Sequence, residues 1–325
     1  MNREYPSYSV AIRTLGTAGD KYQETLDSVA RQTVQPEKVL VCIPSGYDLP
    51  KETIGREEFI RSEKGMVAQR ALPFNEIPSE FILFLDDDLS FEARFVEKLF
   101  DGLLDNNGDC ICPDIYREHE KDLLIRIRDF LGGTRPHSDK DWSFKIRLDG
   151  HYSYNRRPFG DVLLAQSGAG ASCLCRKLAF KAIHFEDERW LDAFSFGLCE
   201  DQLLYYKLYK YRYKLLTAFN AKIVHLDAAS GHDSNNANNY KAQGFCREMV
   251  WYRTIFSQND TQSWHFRCRW ARLLSRICSF PLSVATVIKH KSLMPVKARK
   301  EGEKMAERFA RSAEYQKIPS YFEYF

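Results

Sequence analysis

Phe81-Ile82-Leu83-Phe84-Leu85-Asp86-Asp87-Asp88-Leu89-Ser90-Phe91 decides the architecture of this chain: five apolar residues run without a polar interruption into three carboxylates. A strand wet on one face alternates apolar and polar side chains, so the unbroken run predicts a strand at Phe81–Leu85 covered on both faces. Upstream, Val39–Ile43 (VLVCI) is a second such run, stopped by Pro44. Tyr8–Arg13 (YSVAIR) is a third, followed by a turn from Gly16 to Gly19, and Phe59–Arg61 is a further short strand. Between them, Asp20 is placed to cap a helix through Arg31 that carries Tyr22, Leu26, Val29 and Ala30. Gly65–Asn75 and Phe91–Leu104 read as helices, and strand character resumes at Ile111. This alternation predicts an α/β fold with a mostly parallel, doubly wound sheet and helices on both faces. Ligands in such sheets sit at the carboxyl ends of the strands, so Thr14, Ser45 and Asp86 are expected to line one crevice.

Residues 117–160 are rich in Arg, Asp and Gly and read as an irregular excursion over that crevice. Strands follow at Val162–Leu164, Ala171–Leu174 and Lys222–His225, with a helix from Glu200 to about Tyr211. From Tyr240 the chain reads as helical, with breaks near Asp260 and Pro295. Hydrophobic residues at 44% and charged residues at 28% of 325 exclude a disordered chain, and modest Gly and Pro exclude a collagen-like one. The nine cysteines form no C-x-x-C pair, and Cys110/Cys112 and Cys173/Cys175 are spaced as same-face neighbours on strands. Reduced, buried thiols are therefore expected rather than a disulfide framework or a thiolate metal site. With no apolar core for a signal peptide in MNREYPSYSV, the expected compartment is the cytoplasm.

Three adjacent carboxylates repel one another unless a cation compensates them. A hard divalent ion, Mn2+ or Mg2+, with phosphate oxygens completing its shell, is the expected compensation for Asp86, Asp87 and Asp88. A cap cluster for the helix expected near Phe91 is the bland alternative. Glu200-Asp201 is a second acidic pair, after Phe196-Gly197-Leu198-Cys199, and reads either as a helix cap or as a general base. His225, before Asp227, is either structural or a neutral metal ligand beside the triplet. Lys64, Gln69 and Arg70 flank Gly65 in the helix before the triplet: solvated charges on one reading, nucleotide contacts on the other, with Gly65 permitting close approach. The run Gly168-Ala169-Gly170-Ala171-Ser172 is either a tight packing element or a backbone surface for a sugar.

Taken in order, these segments resemble a family 2 glycosyltransferase of the inverting, bacterial type on the GT-A fold, over about residues 7–228. SVAIRTLG resembles the family's opening strand and nucleotide-contacting turn, which carries Thr14. ETLDSVARQTVQPEKVLVC resembles its first helix and second strand, KGMVAQR its Gly-containing helix with Gly65 and Arg70, and FILFLDDDLSF its DxD signature with Asp86 and Asp88. CEDQLLYYKL resembles the ED motif, whose Asp is the base of inverting members. The second strand departs from the family by ending Ile43-Pro44-Ser45-Gly46 rather than in an acid that contacts the base, so the nucleotide is not assigned.

The resemblance implies a catalytic domain over 1–235, with a nucleotide-binding half to about 116 and an acceptor half from 117, and a basic helical extension over 236–325. It implies transfer of a sugar from a nucleoside-diphosphate donor to a saccharide or lipid-linked acceptor, as in bacterial surface polysaccharide synthesis. Asp201 would be the base with Glu200 beside it, Asp86, Asp88 and His225 would hold the ion, and Thr14, Lys64, Gly65, Gln69, Arg70, Asp86 and Asp87 would face the nucleotide. Metal-dependent nucleotidyl transfer and a non-catalytic carbohydrate- or membrane-binding protein are the alternatives. Net charge is +3, but Gln262–Arg311 holds twelve Lys or Arg against three Glu, a local +9. No nucleic-acid recognition motif accompanies this charge. Ala271–Ile288, with Arg272, Arg276 and Pro281, reads as too short and too charged to span a membrane. Two readings of the tail stay open: peripheral contact with the anionic inner face of the cell membrane, or packing on the catalytic domain with Leu273, Leu274 and Ile277 inward.

Overall fold

The computed structural model describes residues 3–71, 77–115, 123–194, 198–226 and 236–321. The first half forms β1 (Tyr8–Arg13), α1 (Asp20–Ala30), β2 (Val39–Pro44), β3 (Glu57–Ser62), α2 (Met66–Arg70) and β4 (Phe81–Asp86), close to the expected bounds. The rest of the helix expected through Asn75 lies outside the described residues. The helix expected at Phe91 starts later. Leu89–Phe91 form the short strand β5 first, and then come α3 (Phe95–Asp105) and β6 (Cys110–Pro113). The Asp triplet therefore does not cap α3, whose flanking residue is Arg94 with no side-chain cap.

Residues 117–160 are not an irregular excursion where they are described. They fold as α4 (Leu123–Leu131), β7 (Arg135–His137), β8 (Trp142–Ile146) and β9 (Tyr152–Asn155). The three strands extend the far edge of the sheet beyond β10 (Val162–Ala165). Their sequences mix aromatic and charged residues, which hid the pattern, yet Phe144 and Tyr154 are buried and pack ring to ring. Next come β11 (Ser172–Arg176), α5 (Lys177–Ala182), a 3-10 stretch over Phe185–Ala193, α6 (Glu200–Lys210), β12 (Leu215–Ala218) and β13 (Ile223–His225).

Among the described residues the main sheet has 11 strands in the order β3-β2-β1-β4-β11-β6-β12-β10-β8-β9-β7. From β3 to β4 every pairing is parallel. β11 then enters antiparallel to both β4 and β6, so the sheet is mostly, not wholly, parallel. Phe81, Leu83 and Leu85 face a core shared with Tyr22 and Leu26 of α1 and Phe100 of α3. Ile82 and Phe84 face a second core shared with α5, α6 and the C-terminal helices. Both faces of β4 are dry, which is why its sequence does not alternate. The β11–β6 pairing sets Cys175 opposite Cys110, and all nine cysteines are free, with Cys110, Cys112, Cys173 and Cys175 buried.

The C-terminal part is helical: α7 (Ala237–Thr254), a 3-10 turn at Phe256–Gln258, α8 (Gln262–His290), α9 (Met294–Phe309) and α10 (Ala313–Gln316). α7 and α9 touch backbone to backbone, since a Cβ on Gly244 would stand 2.1 Å from the Arg299 carbonyl oxygen and one on Gly302 2.0 Å from that of Lys241. A buried ion cluster fastens α7 to the sheet domain. Glu188 accepts from Arg253 Nε and Nη2, both at 2.7 Å, and from Lys207 Nζ at 2.9 Å. α8 corrects two expectations. It runs unbroken through Pro281 for 29 residues, long and apolar enough by length and composition to cross a membrane. Leu273, Leu274 and Ile277 point outward, and its buried residues are Cys268 and Ser275.

Candidate functional site

The site begins with strand register. β1 and β4 pair so that their last residues, Arg13 and Asp86, lie side by side. Arg13 Nε donates to Asp86 Oδ1 and Arg13 Nη1 to Glu200 Oε1, each at 2.6 Å. One arginine thus joins the acidic end of β4 to the first turn of α6. Burial alone would lower the Arg13 pKa, but Asp86 and Glu200 more than offset it and raise it. The sequence reading missed Arg13. A charged residue closing an otherwise buried strand was the available signal.

The three acids of the triplet are put to different uses. Asp86 lends one oxygen to Arg13. Asp87 is buried and accepts from the Thr14 hydroxyl at 2.5 Å, and Thr14 Oγ1 in turn accepts from the Gly16 N–H at 2.9 Å. Burial, with Asp86 and Asp88 on either side, pushes the Asp87 carboxyl up to about 6 despite the Thr14 bond. Asp88 meets His225: β13 runs antiparallel to β5 with His225 opposite Leu89, which sets His225 Nε2 3.3 Å from Asp88 Oδ1. The neighbouring Asp227 lies outside the described residues.

Asp88 and His225 offer a carboxylate oxygen and an imidazole nitrogen side by side. Among the described residues no three His, Cys, Asp or Glu groups gather as a metal cage. This donor set fits a hard divalent ion that takes most of its oxygens from phosphate and water, and not one held by protein alone.

The residues around Gly65 lie mostly beneath this surface. Gln69 is buried and donates to the backbone oxygens of Thr14 and Cys42, both at 3.1 Å, so it ties together the ends of β1 and β2. Arg70 is 2% exposed; Nη2 donates to the Gly170 oxygen at 2.9 Å and Nη1 stands 3.5 Å from Glu200 Oε1. Among the described residues its Nε and Nη1 have no hydrogen-bond partner. Gly65 does allow a close approach, but of protein: a Cβ there would lie 2.2 Å from Asp192 Cγ. Through that gap the Asp192 carboxylate reaches the N–H groups of Val67 at 3.0 Å and Ala68 at 2.9 Å and caps α2. Asp192 is a second residue the sequence reading missed, 125 positions from its partner. Lys64 stands at the exposed rim, hydrogen-bonded to the Tyr47 hydroxyl and over its ring.

Glu200 and Asp201 open α6, after Cys199 in the left-handed region at φ 67°, while Phe196 and Gly197 lie outside the described residues. Glu200 is buried. Burial would raise its carboxyl, but Arg13 and Arg70 outweigh it and hold Glu200 below the ordinary range. Asp201, partly buried, has no such arginine bonded to it among the described residues. Burial, then the charge of Glu200, push its carboxyl up to about 6. Two adjacent acids thus become a clamped anion and a carboxyl poised to take a proton near neutrality. The small-residue run supplies the fit: a Cβ on Gly170 would stand 2.7 Å from Asp201 Cβ, so the backbone there packs directly against the acid.

Comparison with known proteins bears on the fold that carries this arrangement. Residues 17–163 match the glycosyl transferase family 2 model, a span that includes the Asp triplet and stops before Glu200. Among solved structures the chain resembles GalNAc-T7 with UDP, GalNAc and Mn2+, at TM-score 0.50 and 12% identity over 83% of this chain and 55% of that one. It also resembles TarS of S. aureus, at TM-score 0.50 and 13% identity over 83% of this chain and 43% of that one. The chain spans about half the length of these two structures, and at such identity the likeness is one of fold. A comparison with curated proteins gives no match.

Proposed function

We propose that this chain, whose residues 17–163 match the glycosyl transferase family 2 model, transfers a sugar from a nucleoside-diphosphate sugar to an acceptor hydroxyl with inversion at the anomeric carbon. The observation that carries this reading is geometric: Glu200 is held by Arg13 at 2.6 Å and stands 3.5 Å from Arg70, whereas its neighbour Asp201 is bonded to no arginine among the described residues, and burial with the Glu200 charge raises its carboxyl. An acceptor hydroxyl loses its proton as it attacks, and a carboxylate whose pKa lies near the working pH is suited to take it. Asp201 is the base; Glu200 and Arg13 are positioning residues that fix α6 against the end of β4. A single base and a single displacement invert the anomeric centre, whereas retention through a covalent intermediate needs a second carboxylate near that carbon.

Asp88 and His225 would hold a divalent cation, which when bound offsets the charge gathering on the departing diphosphate. Thr14 and the rim residues Lys64 and Tyr47 border the same strand ends, and on this reading the nucleotide lies against them. A saccharide or lipid-linked acceptor of bacterial surface polysaccharide synthesis suits this reaction class. The test is a panel of UDP- and GDP-sugars with Mn2+, read as release of free nucleoside diphosphate. The expected result is release from at least one donor, lost in Asp201→Asn, with inverted anomeric configuration in the product by NMR. Equal release by wild type and variant, or a retained configuration, would sink the reading.

A further inference from the structure

α8 turns its apolar stripe away from the protein. Phe266, Trp270, Leu274, Ile277, Phe280 and Ile288 recur every three, four or eight residues and so share one helix face, and each is between 49% and 70% exposed. Cys268 and Ser275, its two buried residues, lie on the opposite face. A surface helix of a soluble domain shows the reverse arrangement. α4 packs beside α8 and enlarges the patch with Leu123, Leu124, Ile127 and Phe130, exposed by 47% to 72%. A contiguous apolar surface on this scale marks an interaction site.

Charge decides what covers it. α8 carries five Lys or Arg and no Asp or Glu, and the stretch from Gln262 to Arg311 carries +9. Arg267 and Arg269 flank the stripe and are exposed, and α4 adds Arg126 and Arg128 against Asp129. A second copy of this chain would bring one basic face against another. An anionic lipid surface offers apolar interior and opposite charge together, and basic side chains bordering an apolar helix face are the pattern of helices that lie in the bilayer interface.

The contacts of α8 suit a helix that lies on a membrane rather than one that crosses it. Although α8 is long and apolar enough to span, Arg272 Nη1 donates to the Asp149 oxygen at 2.8 Å. Arg272 and Arg276 also pair with Glu248 of α7, at 2.8 and 3.1 Å. These bonds hold the middle of α8 to the body, and spanning would break them all. We propose that α8 and α4 together form a docking surface for an anionic lipid bilayer, with the α8 axis in the membrane plane. The proposal rests on this surface and not on the reaction.

The full chain is tested by co-sedimentation with vesicles of phosphatidylcholine, with and without phosphatidylglycerol. Binding to the anionic vesicles and not the neutral ones is expected, weakening as salt rises. Ile277→Glu with Phe280→Glu in α8 should weaken binding roughly a hundredfold, since two large apolar side chains lose their burial. Ile127→Glu with Phe130→Glu in α4 should also weaken it by at least about tenfold. All four positions are exposed, so the melting temperature should hold and unfolding is distinguishable from lost binding. Four outcomes overturn the proposal: failure to bind either vesicle at low salt, equal binding to both, binding unchanged in both double variants, or retention after alkaline carbonate washing. A dimer in lipid-free solution that the same substitutions dissolve, with no vesicle binding, assigns the face to a second copy instead.

Discussion

Replacing Asp201 by Asn keeps the shape that Gly170 packs against while removing the carboxylate. Burial and the charge of Glu200 raise that carboxyl from its ordinary value of 3.8 to about 6. A shift of that size corresponds to roughly 3 kcal/mol of preference for the neutral form, and to the order of 2 kcal/mol after allowing for solvent at this partly exposed group. A carboxyl raised on folding contributes stability that is fully present below about pH 4, is lost as pH rises through 6, and stays absent above it. Asp201→Asn should therefore melt a few degrees higher than wild type at pH 8, with the gain fading as pH falls through 6 toward 4. Its kcat should nevertheless fall by roughly 10²–10⁴-fold. Loss of turnover together with gain of stability separates a base from a scaffold residue. The wild-type rate should decline about tenfold per pH unit below 6, as the base becomes protonated. Glu200→Gln removes one cause of the shift and leaves Arg13 and Arg70 to act on Asp201, so the acid limb should move to lower pH. Calorimetric melts and pH–rate profiles of the three proteins decide it. An acid limb at the same pH in Glu200→Gln, or near-wild-type kcat in Asp201→Asn, would refute the electrostatic reasoning.

Two further outcomes follow from the same geometry. Asp88→Asn should weaken Mn2+-dependent nucleotide binding by about tenfold or more in titration calorimetry, with metal-free binding little changed; equal affinity with and without the substitution would remove Asp88 from the cation site. In Gly170→Ala the new methyl stands 2.7 Å from Asp201 Cβ. Overpacking there should cost about 1–3 kcal/mol of stability, and displacing the base should lower kcat by roughly a hundredfold with KM for the donor little altered. A variant with full kcat would show that the backbone turn at Gly170 does not position Asp201.

Local sequence was sufficient for the sheet's first half, because burial on both faces writes itself into composition: FILFL and VLVCI need no partner to be read as covered strands. The acidic clusters were legible for the same reason, since like charges set side by side declare that something must compensate them. What compensates them was not legible. Arg13 reaches Asp86 through strand register and Glu200 across 187 positions. His225 meets Asp88 only because β13 folds back on β5, and Asp192 fills the space over Gly65 from a different element. Gly65 and Arg70 looked alike as ligand contacts from sequence; packing buries Arg70 and sets Asp192 over Gly65. The apolar residues of α8 were visible in the sequence, but composition alone does not say which way a face points. The pairing of Arg272 and Arg276 with Glu248 turned the apolar side outward. Composition and spacing set which residues are able to bury or to react, while the partner of each charge is chosen by contacts between segments far apart in the chain, and only the tertiary structure supplies those.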